Sequence, residues 1–135
     1  MIPLIPTRIH AVLDYLVGAL LILLPLAWLD DYPVAAYVPM ILGAGTIVYS
    51  LITRYEYSAA KLIPMPVHLG IDAVAGIFLA ISPWLFGFAD DIWAPHVVVG
   101  LLELGVTALS RRIPDDARLR PAGAHPDRGT VATAR

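Results

Sequence analysis

The sequence predicts an all-α integral membrane protein, with four transmembrane helices arranged as two two-helix repeats of the same orientation. Three observations predict it. First, of 135 residues 59% are hydrophobic and 15% charged, with a mean hydropathy of +0.75; soluble domains run near 45–50% apolar and about 25% charged. Second, the apolar residues fall into four runs of roughly 18–22 residues, the length at which a helix rising about 1.5 Å per residue crosses about 30 Å of hydrocarbon. Third, the second half of the chain repeats the first. The same composition excludes other classes. A formal net charge of -2 with no basic cluster in the apolar body argues against a nucleic-acid partner. The absence of cysteine excludes disulfides, thiolate metal sites and a cysteine nucleophile.

The first run covers residues 9–29 and is interrupted by His10, Asp14 and Tyr15. It is longer than the apolar region of a signal peptide, and no small-residue cleavage site follows it. The second covers 34–52. The third covers 67–88 and carries His68 and Asp72. The fourth covers 92–109 and carries His96, expected at the headgroup level, and Glu103. Continuous apolar runs argue against strands. Helices meet their own backbone hydrogen-bonding needs in lipid, and these four leave no polar face for water. Residues 112–135, rich in Arg, Asp, Pro, Ala and Gly, are expected to form a disordered cytoplasmic tail, in which His125 has no special role.

Charge sets the expected orientation. Arg8 precedes the first span, Arg54 and Lys61 lie between the second and third, and Arg111, Arg112, Arg118, Arg120, Arg128 and Arg135 follow the fourth. All nine positive residues thus fall on one side of a four-span chain. The other two connections carry Asp30–Asp31 and Asp90–Asp91 and no Lys or Arg. The positive-inside rule then places both termini in the cytoplasm, and the protein is expected in the inner (plasma) membrane. Trp28, Tyr32 and Tyr37 flank one outer loop, and Trp84 and Trp93 the other, as amphipathic rings at a membrane interface do.

The repeat is read residue by residue. Leu4-Ile5-Pro6 recurs as Leu62-Ile63-Pro64, His10 as His68, Asp14 as Asp72, Gly18 as Gly76, Leu21 as Leu79 and Pro25 as Pro83, all 58 residues apart. One residue is then lost, so that Gly43 matches Gly100 and Thr46 matches Glu103. Residues 1–58 form the first unit and 59–111 the second. Each unit crosses twice, so a pseudo-two-fold axis along the membrane normal relates them, unlike the inverted repeats of many transporters. The paired glycines Gly18, Gly43, Gly76 and Gly100 are expected to let helices approach closely.

The tripeptide Ser82-Pro83-Trp84, placed in the first helix of a duplicated two-span unit, resembles the signature of the SPW-repeat family of small prokaryotic integral membrane proteins. The resemblance covers residues 1–111. It implies location and architecture, with no activity and no catalytic residues to carry over. The first repeat departs from the signature: it reads Leu24-Pro25-Leu26, so only the proline matches. Physically, Pro83 deprives the Leu79 carbonyl of its helical partner and bends the helix. The Ser82 hydroxyl can return to the carbonyl of Phe78 or Leu79. Trp84 then sits at the outer headgroups, and Pro25 should bend the first span at the matching level.

The polar residues inside the spans are the candidate site. His10 and Asp14, and likewise His68 and Asp72, are four apart and share a helical face. Counting about 1.5 Å per residue puts Asp14 about 9 Å and Glu103 about 12 Å in from the positive side. His10, Asp14, His68, Asp72 and Glu103 are therefore expected to form one polar layer. Charges at such depth cost a few kcal/mol, relieved by pairing, protonation, water or a metal. The simplest expectation is His–Asp pairs. Raised carboxyl pKa values would instead suit proton or ion coupling. His with carboxylates suits zinc or iron chemically, but no helical Glu-x-x-His motif is present, so neither metal nor cofactor is expected. There is no phosphate-cradling glycine loop and no nucleophile elbow, and Ser50, Ser58, Ser82 and Ser110 have no His–Asp partners placed by the sequence. The sequence therefore predicts no enzyme. It predicts a multi-pass structural or interaction module whose partners are lipid, a second copy or another membrane protein. The alternative is a small proton- or ion-coupled transporter acting as an oligomer.

Overall fold

A computed structural model describes residues 4–114; the expected tail from 115 onward, with His125, lies outside the described residues. Four α-helices run in chain order: α1 Thr7–Leu23, α2 Pro33–Leu51, α3 Met65–Leu85 and α4 Ala94–Leu109. A 3-10 turn, Leu24–Trp28, extends α1. Among the described residues α1 with its extension, α2 and α3 are long and apolar enough to cross a membrane, and α4 is apolar but shorter. At 16 residues it measures about 24 Å.

The helix ends follow from local chemistry. Pro6 and Pro64 stand before α1 and α3 in extended conformation, ψ 150° and 144°, and their carbonyls accept from the N–H groups of His10 and His68. These prolines are the ends of the two Leu-Ile-Pro motifs, so the motif is a helix start. The helix α3 stops at Leu85, short of the expected 88. Gly87 takes φ 73°, a left-handed conformation that costs glycine little, and the Phe88 N–H folds back to the Pro83 carbonyl at 2.9 Å. Likewise α4 begins at Ala94 instead of 92, with Pro95 in its first turn. Pro25 acts differently from Pro83: α1 tightens into the 3-10 turn at that level, whereas α3 continues through Pro83.

Each repeat is a tight helical hairpin, α1 on α2 and α3 on α4. Its closest approach is at the paired glycines. A Cβ on Gly43 would lie 2.6 Å from the Gly18 carbonyl oxygen, and one on Gly100 would lie 2.5 Å from that of Gly76. Any larger residue must push the helices apart. The hairpins join at α2 and α3 and at the chain ends. Ile5 pairs with Ser110, and Ile63 with Thr53. In each case the segment entering one repeat is bonded to the segment leaving the other, so the two units close into a ring.

The interior is more polar than the exterior. Among the described residues eleven polar or charged side chains are buried against eight hydrophobic ones. Leu16, Ile41, Val48, Val74, Leu101 and Leu102 meanwhile point outward, all more than half exposed. In water this arrangement would forfeit the hydrophobic effect; in hydrocarbon it is the favourable one. The molecule is a small helical membrane protein.

Candidate functional site

The polar interior is concentrated where α1 and α3 meet near the chain ends. His10 and His68, each 0% exposed, turn their Nε2 atoms toward one another at 3.3 Å. Both aspartates surround them. His10 Nε2 lies 3.3 Å from Asp14 Oδ1 and 3.2 Å from Asp72 Oδ2. His68 Nε2 lies 3.0 Å from Asp14 Oδ2 and 3.2 Å from Asp72 Oδ2. Donor atoms of all four residues fall within 4.8 Å of one another. Each histidine touches the aspartate of its own repeat and that of the other repeat.

A second layer of hydroxyls orients this group. Thr53 Oγ1 lies 2.8 Å from the Tyr49 carbonyl and 2.8 Å from His68 Nδ1. Ser110 Oγ lies 2.7 Å from the Val106 carbonyl and 2.8 Å from His10 Nδ1. A hydroxyl has one proton. With that proton on the carbonyl four residues back, the contact to the ring is a hydrogen bond only if Nδ1–H donates. Both imidazoles, when neutral, thus carry their lone pairs on Nε2, facing the centre. Thr53 and Ser110 are repeat mates, 57 residues apart, and each holds the histidine of the opposite unit. The carboxylates are held as well. Tyr49 donates to Asp72 Oδ1 at 2.5 Å. Ser50 and Tyr55 donate to Asp14 Oδ2 at 3.3 and 3.1 Å.

Tyr55 belongs to the connection between the repeats, residues 52–64, which folds over this end of the bundle. Its ring is 0% exposed, and burial pushes its phenol well above the ordinary range, so it remains a donor. Beside it Glu56 accepts from Thr7 Oγ1 at 2.9 Å, and Tyr15 donates to the Tyr57 carbonyl. The connection closes the centre from the end of the bundle.

The structure brings His10, Asp14, His68 and Asp72 together; it leaves Glu103 outside the group. Glu103 is partly exposed and lines a small cavity with Val17, Leu42, Thr46 and Gly76. Two serines for which the sequence places no partner have one: Ser50 bonds Asp14 and Ser110 bonds His10. Sequence spacing along one helix cannot reveal them, because they arrive from other helices. The signal available was the repeat itself, which aligns Ser110 with Thr53.

The prolines are compensated by their neighbours. Ser82 Oγ donates to the Leu79 carbonyl at 2.7 Å, the acceptor that Pro83 strands. In α2, Pro39 strands the Ala35 carbonyl, and His96 Nε2–H donates to it at 2.8 Å across the repeats. His96, expected at the headgroup level, is 2% exposed; it is drawn inward by a carbonyl that would otherwise be buried without a partner. Trp84 and Trp93 are exposed, as interfacial rings should be.

A family model, the SPW repeat domain, matches residues 8–110. The chain belongs to the SPW repeat family. The match takes in all four helices and both repeats. In this SPW protein the signature serine and proline form a unit, the hydroxyl replacing the N–H that the proline lacks. No curated protein and no solved structure matches the chain.

Proposed function

We propose that this protein is a structural or interaction module of the plasma membrane whose two repeats are clamped together by the buried His/Asp centre. One observation carries the reading: each histidine contacts the aspartate of its own repeat and that of the other, so the centre joins the two units. The reading is non-enzymatic, with lipid and a second membrane-embedded chain as partners. The positive residues Arg8, Arg54, Lys61, Arg111 and Arg112 support an orientation with both termini in the cytoplasm. Replacing Asp14 and Asp72 by Asn should lower the unfolding midpoint of the detergent-solubilised protein, while proton flux in proteoliposomes stays at the protein-free level.

The second reading, a proton- or ion-coupled carrier, is favoured by Glu103, a third carboxyl in the spans that opens on a cavity between the hairpins. A pH-driven flux that disappears in the folded Asn variants would select it over the clamp.

A further inference from the structure

We infer that the centre is a closed metal site, with His10 Nε2, His68 Nε2, Asp14 and Asp72 holding one zinc-class divalent cation. The inference rests on reading the centre as the joint between repeats, and names what completes the joint. Three observations carry it.

The first is spacing. Zinc binds His nitrogen at about 2.0–2.1 Å and carboxylate oxygen at about 2.0–2.2 Å, so the edges of a tetrahedral site measure about 3.3–3.5 Å. The two Nε2 atoms stand 3.3 Å apart; Asp72 Oδ2 lies 3.2 Å from both, while Asp14 presents Oδ1 at 3.3 Å to His10 and Oδ2 at 3.0 Å to His68. Charge-assisted N–H···O bonds are shorter, about 2.7–2.9 Å. One donor atom from each of the four residues lies within 4.8 Å of the others, close enough for small side-chain shifts to gather all four around one ion.

The second is proton placement. With the Thr53 and Ser110 hydroxyl protons on their own helix carbonyls, both Nδ1–H groups donate outward, and neutral imidazoles then turn two Nε2 lone pairs toward each other and toward two carboxylates. Such an arrangement needs positive charge between the groups, supplied by protons or by a metal ion. Metal-bound histidines characteristically donate their other N–H to an oxygen acceptor, which fixes the ring and its tautomer. Here both do, through residues related by the repeat. The carboxylates have their own outer partners in Tyr49, Ser50 and Tyr55.

The third is charge. Two carboxylates buried at 3% and 0% exposure are neutralised by one divalent ion with both imidazoles neutral, which removes the cost of placing them in the membrane. Four protein ligands leave no open position, so the site is of the structural kind. The sequence expectation of no metal rested on the absence of a ligand motif within one helix. The ligand set here is a His-x-x-x-Asp pair taken once from each repeat.

The test uses the full chain carrying a non-histidine affinity tag, purified in detergent without chelator. Elemental analysis should find about one zinc-class ion per chain, falling to background in His68→Ala. Should that variant fail to fold, wild-type protein stripped by a chelator and titrated with Co2+ should develop the intense visible bands of tetrahedral cobalt, abolished by Zn2+. In the same titration Thr53→Val and Ser110→Ala should each weaken binding by about 10–100-fold. Folded wild-type protein that is purified free of metal and takes up neither Co2+ nor Zn2+ overturns the inference. If such metal-free protein is still destabilised by Asp14→Asn and Asp72→Asn, the centre is a protonated clamp and only the metal is lost; if it is not, the clamp reading falls too.

Discussion

At the scale of single residues, the structure repeatedly answers a missing hydrogen bond with a particular side chain. Proline inside a membrane helix strands a carbonyl four residues back, and in hydrocarbon no water replaces the lost N–H. Ser82 serves Leu79 and His96 serves Ala35. This makes a conditional prediction. His96→Phe should cost about 1–3 kcal/mol, the penalty of a buried acceptor left bare. In a Pro39→Ala background the helix supplies its own N–H to Ala35, and the same substitution should cost clearly less. Equilibrium unfolding of the four variants in micelles reads the difference. The Ser82→Ala substitution should show the same relief in a Pro83→Ala background. The local rule for Ser82 was legible in the sequence, because donor and acceptor lie three residues apart. The role of His96 was not, because its acceptor is 61 residues away.

At the scale of elements, glycine position decides whether a hairpin closes. The glycines at 18, 43, 76 and 100 face another helix at backbone contact, while a Cβ added at Gly45, Gly70 or Gly105 would meet nothing within 4 Å. Gly100→Ala should therefore destabilise by about 1–3 kcal/mol, the usual cost of overpacking. Gly105→Ala, on the same helix, should be neutral or slightly stabilising, since alanine restricts the unfolded chain more than glycine does. A thermal-shift comparison of the two in one detergent checks this. Pairing by the repeat marks the four packing glycines in the sequence itself. The helix boundaries were less legible: a hydropathy run continues through Gly87, whereas the backbone turns there because the left-handed conformation is open to it.

At the scale of the whole molecule, the inside-out distribution of polarity and the ring closed by Ile5–Ser110 and Ile63–Thr53 describe one membrane unit built from two copies of a hairpin. The sequence carried the architecture because duplication writes it twice. It carried the four members of the buried centre for the same reason. It did not carry their convergence, since spacing along α1 and α3 puts His and Asp on a face but does not say that the two faces meet. Nor did it exclude Glu103, which lies outside the group of four and lines a cavity with Val17, Leu42, Thr46 and Gly76. Because the chain has no cysteine, single cysteines can report topology. Asp31→Cys and Asp91→Cys should react with an impermeant maleimide added to intact cells, and Ser58→Cys should react only after lysis. The reverse pattern would invert the proposed orientation.

A clamp of the proposed kind requires that the buried centre couple the two repeats energetically. A double-mutant cycle on Asp14→Asn in the first repeat and His68→Gln in the second, followed by equilibrium unfolding in micelles, measures this most directly. Strong non-additivity is expected, a coupling of about 1 kcal/mol or more, because either change alone already breaks the shared group. Two losses that simply add would show that the aspartate and the histidine act in separate repeats, and would contradict the claim.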